Sequence, residues 1–280
     1  MSPRAFTCPS RVGMLAGLRS GDPQGLKVLA LHGWLDNAAS FVPLSAHLPQ
    51  LDLVMLDLPG HGYSAALPEG SEYLLFSSLH PVMDAADALG WERFVLIGHS
   101  MGAAIASLLA AAMPQRIEKL VAIEMLGGLS ESEAGAVQRL RDSVAKGRQL
   151  NATPLRVFPD LAAPVRARMR ANQLSEPAAR LLVERGVREV DGGYVWRSDR
   201  RLTQSTPIRQ TESQVLALLT GIDCPTLVVF ADPAQAMLPE AVRLQRAAQL
   251  RDGRVHTLPG THHLHMEQPA AIAALLHAFL

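Results

Sequence analysis

"VLIGHSMGAAIASLLAA", Val95 to Ala111, changes character at its centre. Three apolar residues suit a buried strand, Gly98-His99-Ser100-Met101-Gly102 follows, and the apolar run after it suits a helix. A serine strung between strand and helix in a Gly-x-Ser-x-Gly pattern sits on a sharp, strained turn, and the two glycines leave room for close packing there. Its hydroxyl projects above the strand ends, where the first turn of the helix supplies free amides and positive dipole. Five residues alone would mean little. The strand-like "RFVLI" before them and the long apolar helix after them are the context the mechanism needs. Ser100 therefore reads as a nucleophile, against the plainer reading of a strand-to-helix cap.

Working outward, "LKVLALHG" from Leu26, "LDLVMLDLPG" from Leu51 and "EKLVAIEM" from Glu118 are further apolar runs bounded by turn residues. Helical patterns such as Tyr73 to Leu89 lie between them. This alternation predicts an α/β protein with a doubly wound, mostly parallel sheet covered on both faces. It stops after Met125, resumes at "CPTLVVFADP" from Cys224 and "GRVHTLPG" from Gly253, and ends in a helix from Gln268 to Leu280. The interruption carries 14 arginines and one lysine against 10 acidic residues, so it is basic in a chain of zero net charge. With Pro154, Pro164, Pro177 and Pro207 as breakers it predicts several short amphipathic helices. The expected division is a core of residues 1–125 and 221–280 and a helical cap, or lid, over 126–220.

Composition bounds the rest. With 48% apolar and 19% charged residues the chain is globular rather than disordered. Zero net charge gives no global attraction to nucleic acid or to an anionic membrane. The apolar run Met101 to Met113 falls short of the ~20 residues a membrane helix needs, and Pro114 ends it. Val12 to Leu18 makes a poor signal peptide, so a cytoplasmic protein without a membrane span is expected. Cys8 and Cys224 lie far apart without metal-ligand spacing and are expected as free thiols.

The chain resembles the α/β-hydrolase superfamily along nearly its whole length. "LHGWLDN" from Leu31 resembles the loop after the third strand, "DLPGHGYS" from Asp57 the loop after the fourth, and "GHSMG" the nucleophile elbow. "HGWLDNAASF" is similar to serine hydrolase-like members. The resemblance implies the α/β-hydrolase fold, a triad built on Ser100, an oxyanion hole from the backbone amides of Trp34 and Met101, and no cofactor. It also implies a base in a loop seven residues before the proline of the final helix, which from Pro269 gives His262. His263 is the alternative base, and His265 stands close by. Three neighbouring histidines suggest a metal, but no carboxylate or cysteine pattern accompanies them and none is expected.

A histidine base needs a carboxylate on its other ring nitrogen to fix the tautomer. The superfamily usually supplies it beyond the strand that reads "PTLVVF" here. This chain has "FADPAQAM", where Asp232 comes early and the usual position holds Ala234 or Gln235. Glu124 closes the preceding strand, 24 residues after Ser100, and some haloalkane dehalogenases carry their acid at that strand end. The resemblance thus implies Glu124 as the acid, with Asp232 as the alternative. The plainer readings are a hinge carboxylate for Glu124 and an Asx-turn residue for Asp232. The dehalogenase likeness ends at the elbow, because those enzymes use an aspartate nucleophile and Met101 replaces their halide-holding tryptophan.

The expected function is hydrolysis of a small-molecule carboxylic ester through an acyl-enzyme on Ser100. Thioester, lactone and carbon–carbon bond cleavage are alternatives on the same triad, and an inert binding protein of this fold is the alternative outside enzymes. Asp57, His61, Asn37 and Ser40 are expected to shape loops and His99 to pack in the elbow. The basic cap reads first as a solvated face and second as an attractor of anionic acyl substrates.

Overall fold

Apolar residues at successive positions of a strand point to opposite faces of its sheet, so the continuous apolar runs require cover on both sides. The computed structural model describes residues 2–150 and 155–280 and meets that requirement. Pro154, one of the expected breakers, lies outside the described residues. The strands are β1 (Arg4–Ser10), β2 (Gly13–Gly21), β3 (Leu26–Leu31), β4 (Leu51–Leu56), β5 (Phe94–His99), β6 (Ile117–Ile123), β7 (Val187–Val190), β8 (Gly193–Trp196), β9 (Thr226–Asp232) and β10 (Gly253–Pro259). Eight of them form one sheet in the order β1-β2-β4-β3-β5-β6-β9-β10. From β4 to β10 neighbours run parallel, and β2 is antiparallel to both β1 and β4.

The helices are α1 (Val42–Ser45), α2 (Leu79–Ala88), α3 (Met101–Ala112), α4 (Ala136–Gln149), α5 (Ala162–Asn172), α6 (Glu176–Gly186), α7 (Glu212–Leu219), α8 (Glu240–Ala247), α9 (Leu264–Glu267) and α10 (Pro269–Phe279). On one face Leu29, Leu31, Leu56, Leu96 and Phe230 pack with α2 and α3. On the other Val28, Ala30, Met55, Ile97 and Val229 pack with α1 and α10. All six positions of β5 are buried, as are those of β4, so the strand that ends at the elbow is fully enclosed. Truncating one such leucine to alanine would cost about 2–5 kcal/mol.

The segment between β6 and β9 contributes no strand to the eight-stranded sheet. Sequence reasoning expects only short helices there, and the structure adds the β7–β8 hairpin. Val190 pairs with Gly193 across the two-residue turn Asp191-Gly192, where Gly192 has φ of +84°. That Asp-Gly turn between β-rich runs is the signal that a helical reading passes over. Helix α7 sends Val215 and Leu219 into the same cluster as α3. The amino-terminal hairpin β1–β2 is a second addition, formed from the apolar patch around Val12 to Leu18. Cys8 and Cys224 are both buried free thiols. Among the described residues no helix is long and apolar enough to cross a membrane.

Candidate active site

The elbow is strained and braced. Ser100 has φ of +51°, which costs a non-glycine residue about 1 kcal/mol or more. Its amide donates to the Ile123 carbonyl at 2.9 Å, and its own carbonyl accepts from Ala104 at 3.0 Å, fixing the turn to β6 and to α3. The flanking glycines are demanded by contact. A Cβ on Gly102 would lie 2.0 Å from the Leu31 carbonyl oxygen, and one on Gly98 would lie 2.4 Å from the Ala103 Cα. Larger residues would push α3 off the sheet and move the serine. Leu35 and Glu124 also have positive φ, at +58° and +63°, so three of the four such non-glycine residues described ring this one place.

Beside the elbow, β3 runs out into the loop Leu31 to Asn37, since Leu31 pairs with Gly98 on β5. Two neutral histidines brace this loop. His32 accepts from the Leu58 amide at 3.0 Å, and its other nitrogen donates to the Gly33 carbonyl. His61 accepts from the Leu35 amide at 3.2 Å and donates to the Pro59 carbonyl. Burial holds both rings below the ordinary histidine range, His61 down to about 3 with a contribution from neighbouring His32. Asn37 caps the turn that follows by accepting from Ala39, and Asp57 accepts from Ala38 and Tyr63. Among the described residues neither the Trp34 amide nor the Met101 amide donates to another group. Met101 opens α3, where the first amides have no partner inside the helix. The Trp34 side chain is half exposed and donates to the Leu202 carbonyl at 2.8 Å.

His262 meets Glu124. Its Nδ1 donates to Glu124 Oε2 at 3.0 Å, leaving the lone pair on Nε2. The other carboxylate oxygen, Oε1, accepts from the Ala231 amide on β9. The side chain of Glu124 is fully buried and that of His262 is 18% exposed. His99, the residue before Ser100, donates from Nε2 to the His262 carbonyl at 2.8 Å, and the two rings lie 4.7 Å apart. The elbow therefore holds the loop that carries the histidine. No hydrogen bond joins the Ser100 hydroxyl to His262 among the described residues, and such contacts commonly tighten only with substrate. Asp232, the alternative acid, is exposed at the end of β9 and among the described residues bonds to no histidine.

Sequence reasoning misses a second acid–histidine pair. His263 donates from Nε2 to Asp36 Oδ2 at 3.1 Å, and Arg168 of α5 donates to Asp36 Oδ1 at 3.0 Å and to the Leu35 carbonyl. Burial works to raise the Asp36 carboxyl, but His263 and Arg168 together hold it well below the usual range. Asp36, His99 and His263 are also the one group of described residues close enough to share a metal. Both oxygens of Asp36 are engaged, and a guanidinium beside them opposes a dication, so the donor set does not suit one. Burial, followed by the neighbouring histidines, keeps His99 and His265 well below the ordinary range. The signal for Asp36 was in "HGWLDN", a carboxylate set between Leu35 and Asn37 in a loop beside the elbow.

Three of the arginines between β6 and β9, Arg168, Arg185 and Arg201, act as pins to core loops, while most of the others are exposed. Arg185 clamps Asp57 through Nε and Nη2, the latter at 2.7 Å, and Arg201 pairs with Asp199, whose amide donates to the Gly60 carbonyl. Asn37 donates to the Leu182 carbonyl. The segment is thereby fastened to both loops that border Ser100.

Comparison with known proteins agrees with this fold. A family model of the alpha/beta hydrolase fold matches residues 28–269. A serine hydrolase-like protein of Danio rerio is 31% identical, over 98% of this chain and 87% of its own. Among solved structures, a hypothetical protein from Pseudomonas aeruginosa PAO1 is 39% identical with a TM-score of 0.91, covering 100% of this chain and 99% of that one. A thioesterase domain from the curacin biosynthetic pathway is 26% identical with a TM-score of 0.86, covering 99% of this chain and 100% of that one.

Proposed function

The chain belongs to the α/β-hydrolase-fold family and is a hydrolase, and we propose that it cleaves a small-molecule carboxylic ester through an acyl-enzyme on Ser100. The observation that carries this reading is the 3.0 Å bond from His262 Nδ1 to the buried Glu124 carboxylate, on a loop tied to the residue before Ser100. Ser100 Oγ attacks the ester carbonyl carbon as His262 Nε2 takes its proton. The amides of Trp34 and Met101 receive the oxyanion, a contribution of about 3–4 kcal/mol per donor in comparable sites. Collapse of the adduct returns that proton to the leaving alcohol. Water then repeats the sequence on the acyl-enzyme, with His262 as base and then acid. Glu124 keeps the imidazole in one tautomer and stabilises its charged form. Residues 126–220 act as a cap whose arginine pins hold the loops around the nucleophile.

Turnover of short and medium p-nitrophenyl esters by the wild type, Ser100→Ala, Glu124→Gln and Asp232→Asn tests this. Activity lost in the first two variants and kept in the third supports the triad. Loss in Asp232→Asn with Glu124→Gln unaffected refutes it. The likeness to a thioesterase domain favours a second reading, thioester cleavage on the same residues. The ratio of kcat/KM for an acyl thioester to that for the matching oxygen ester decides between them.

A further inference from the structure

Helix α8 is inverted. Its buried residues are Arg243 and Arg246, while Leu244 on the same helix is 60% exposed. Arg246 is fully accounted for by Glu212 and the Leu126 carbonyl. Arg243 is different. Its Nε donates to the Leu238 carbonyl at 3.0 Å and its Nη1 to the Ala231 carbonyl at 2.7 Å, and the guanidinium lies over the Phe230 ring. Its Nη2 is buried without a hydrogen-bond partner and stands 3.5 Å from Glu124 Oε1. That oxygen accepts from the amide of the same Ala231. Arg243 and Glu124 thus grip one residue of β9 from its carbonyl and its amide, and the free corner of the guanidinium faces the carboxylate.

We propose that Arg243 is a positioning residue for the triad: through Ala231 it fixes the Glu124 carboxylate, and its charge restrains proton uptake by the Glu124–His262 pair. The proposal rests on the reading of Glu124 as the triad acid. The other groups around the pair are His99 at the end of β5, with His263 and His265 on the loop before and into α9. His99 and His265 are kept neutral by burial. Asp36 lies beyond His99 and is matched by Arg168, and Asp232 is exposed at the end of β9. Among the described residues, Arg243 is the permanently charged cation within 4 Å of Glu124.

A fixed positive charge disfavours a second one nearby, so removing it eases protonation of the base. The acid limb of the kcat/KM profile then moves to higher pH, by about one unit for a charge one carboxylate away at an effective dielectric of about 20. The test is the pH dependence of ester hydrolysis by Arg243→Met, Arg243→Gln and Arg243→Lys, with melting curves on the same samples and NMR titration of the His262 imidazole in each. Both neutral variants are expected to raise the limb and the His262 titration together and to lower kcat about tenfold with little change in KM. Lysine is expected to restore the limb. A limb and an NMR titration that stay at wild-type positions in a folded neutral variant would overturn the proposal and leave Arg243 as packing. Arg243→Gln keeps a donor for Ala231 and serves if methionine fails to fold. Wild-type activity in Glu124→Gln would instead remove the triad reading itself, whatever Arg243 does.

Discussion

Two adjacent histidines, each on a buried carboxylate, have opposite fates. His262 bonds to Glu124 through Nδ1, is 18% exposed, and leaves Nε2 without a hydrogen bond among the described residues. His263 bonds to Asp36 through Nε2, is 2% exposed, and its Nδ1 is sealed without a partner. The acid–histidine bond is nearly the same length in both. What separates a base from a strut is which nitrogen is engaged and whether the other reaches the substrate. The carboxylates differ too. Glu124 is held at the end of β6 by β9, whereas Asp36 joins the loop after β3 to Arg168 of α5. In the proposed mechanism the first pair works on a proton; the second fastens three segments around it.

That contrast breaks or holds on measurable effects. Ser100→Ala should lower kcat by about 10⁴–10⁶-fold with the melting temperature unchanged, because the hydroxyl reacts and supports little else. Glu124→Gln should cost about 10³–10⁴-fold in kcat, since the amide no longer enforces the tautomer. Asp36→Asn should do the reverse. Weakening a buried ion pair costs about 3 kcal/mol in a denaturant melt, while kcat in the folded fraction stays within about tenfold.

The same substitution sharpens the acid response. Asp36 is held below its unfolded value, so its contribution is present above about pH 4 and is lost as pH falls through the folded value. Urea midpoints should therefore drop less steeply below pH 4 in Asp36→Asn than in the wild type. The buried histidines act at higher pH. His32, His61, His99 and His265 are held below the ordinary range, so the unfolded chain takes up their protons first. Their contribution is complete above about pH 6.5 and declines below it, at up to about 1.4 kcal/mol per pH unit for each ring. His61→Gln should flatten that slope by about one proton. The smallest effect expected is from Asp232→Asn, within twofold of wild type in kcat.

How much of this was legible in the sequence varied with the physics involved. The parallel strands could be read because burial on both faces makes them continuously apolar, as in Phe94 to Ile97. The elbow could be read because Gly98 and Gly102 mark contacts that only glycine allows. Glu124 could be set opposite His262 only through a resemblance, since 138 residues separate them and nothing local links the two. Asp36, Arg168 and Arg243 were hidden for another reason. Each is a charged side chain turned inward and matched by a partner distant in the chain, whereas hydrophobic patterning assigns charges to the surface. The β7–β8 hairpin was hidden because its Asp-Gly turn lay in a stretch rich in helix formers and arginine.

The most direct test is the rate at which a fluorophosphonate labels Ser100, followed by intact mass and peptide mapping in the wild type, Glu124→Gln and Asp232→Asn. The triad assigned here predicts one adduct on Ser100, formed equally fast in the wild type and Asp232→Asn and at least 100-fold more slowly in Glu124→Gln. Unchanged labelling in Glu124→Gln, or an adduct on any other residue, would contradict it.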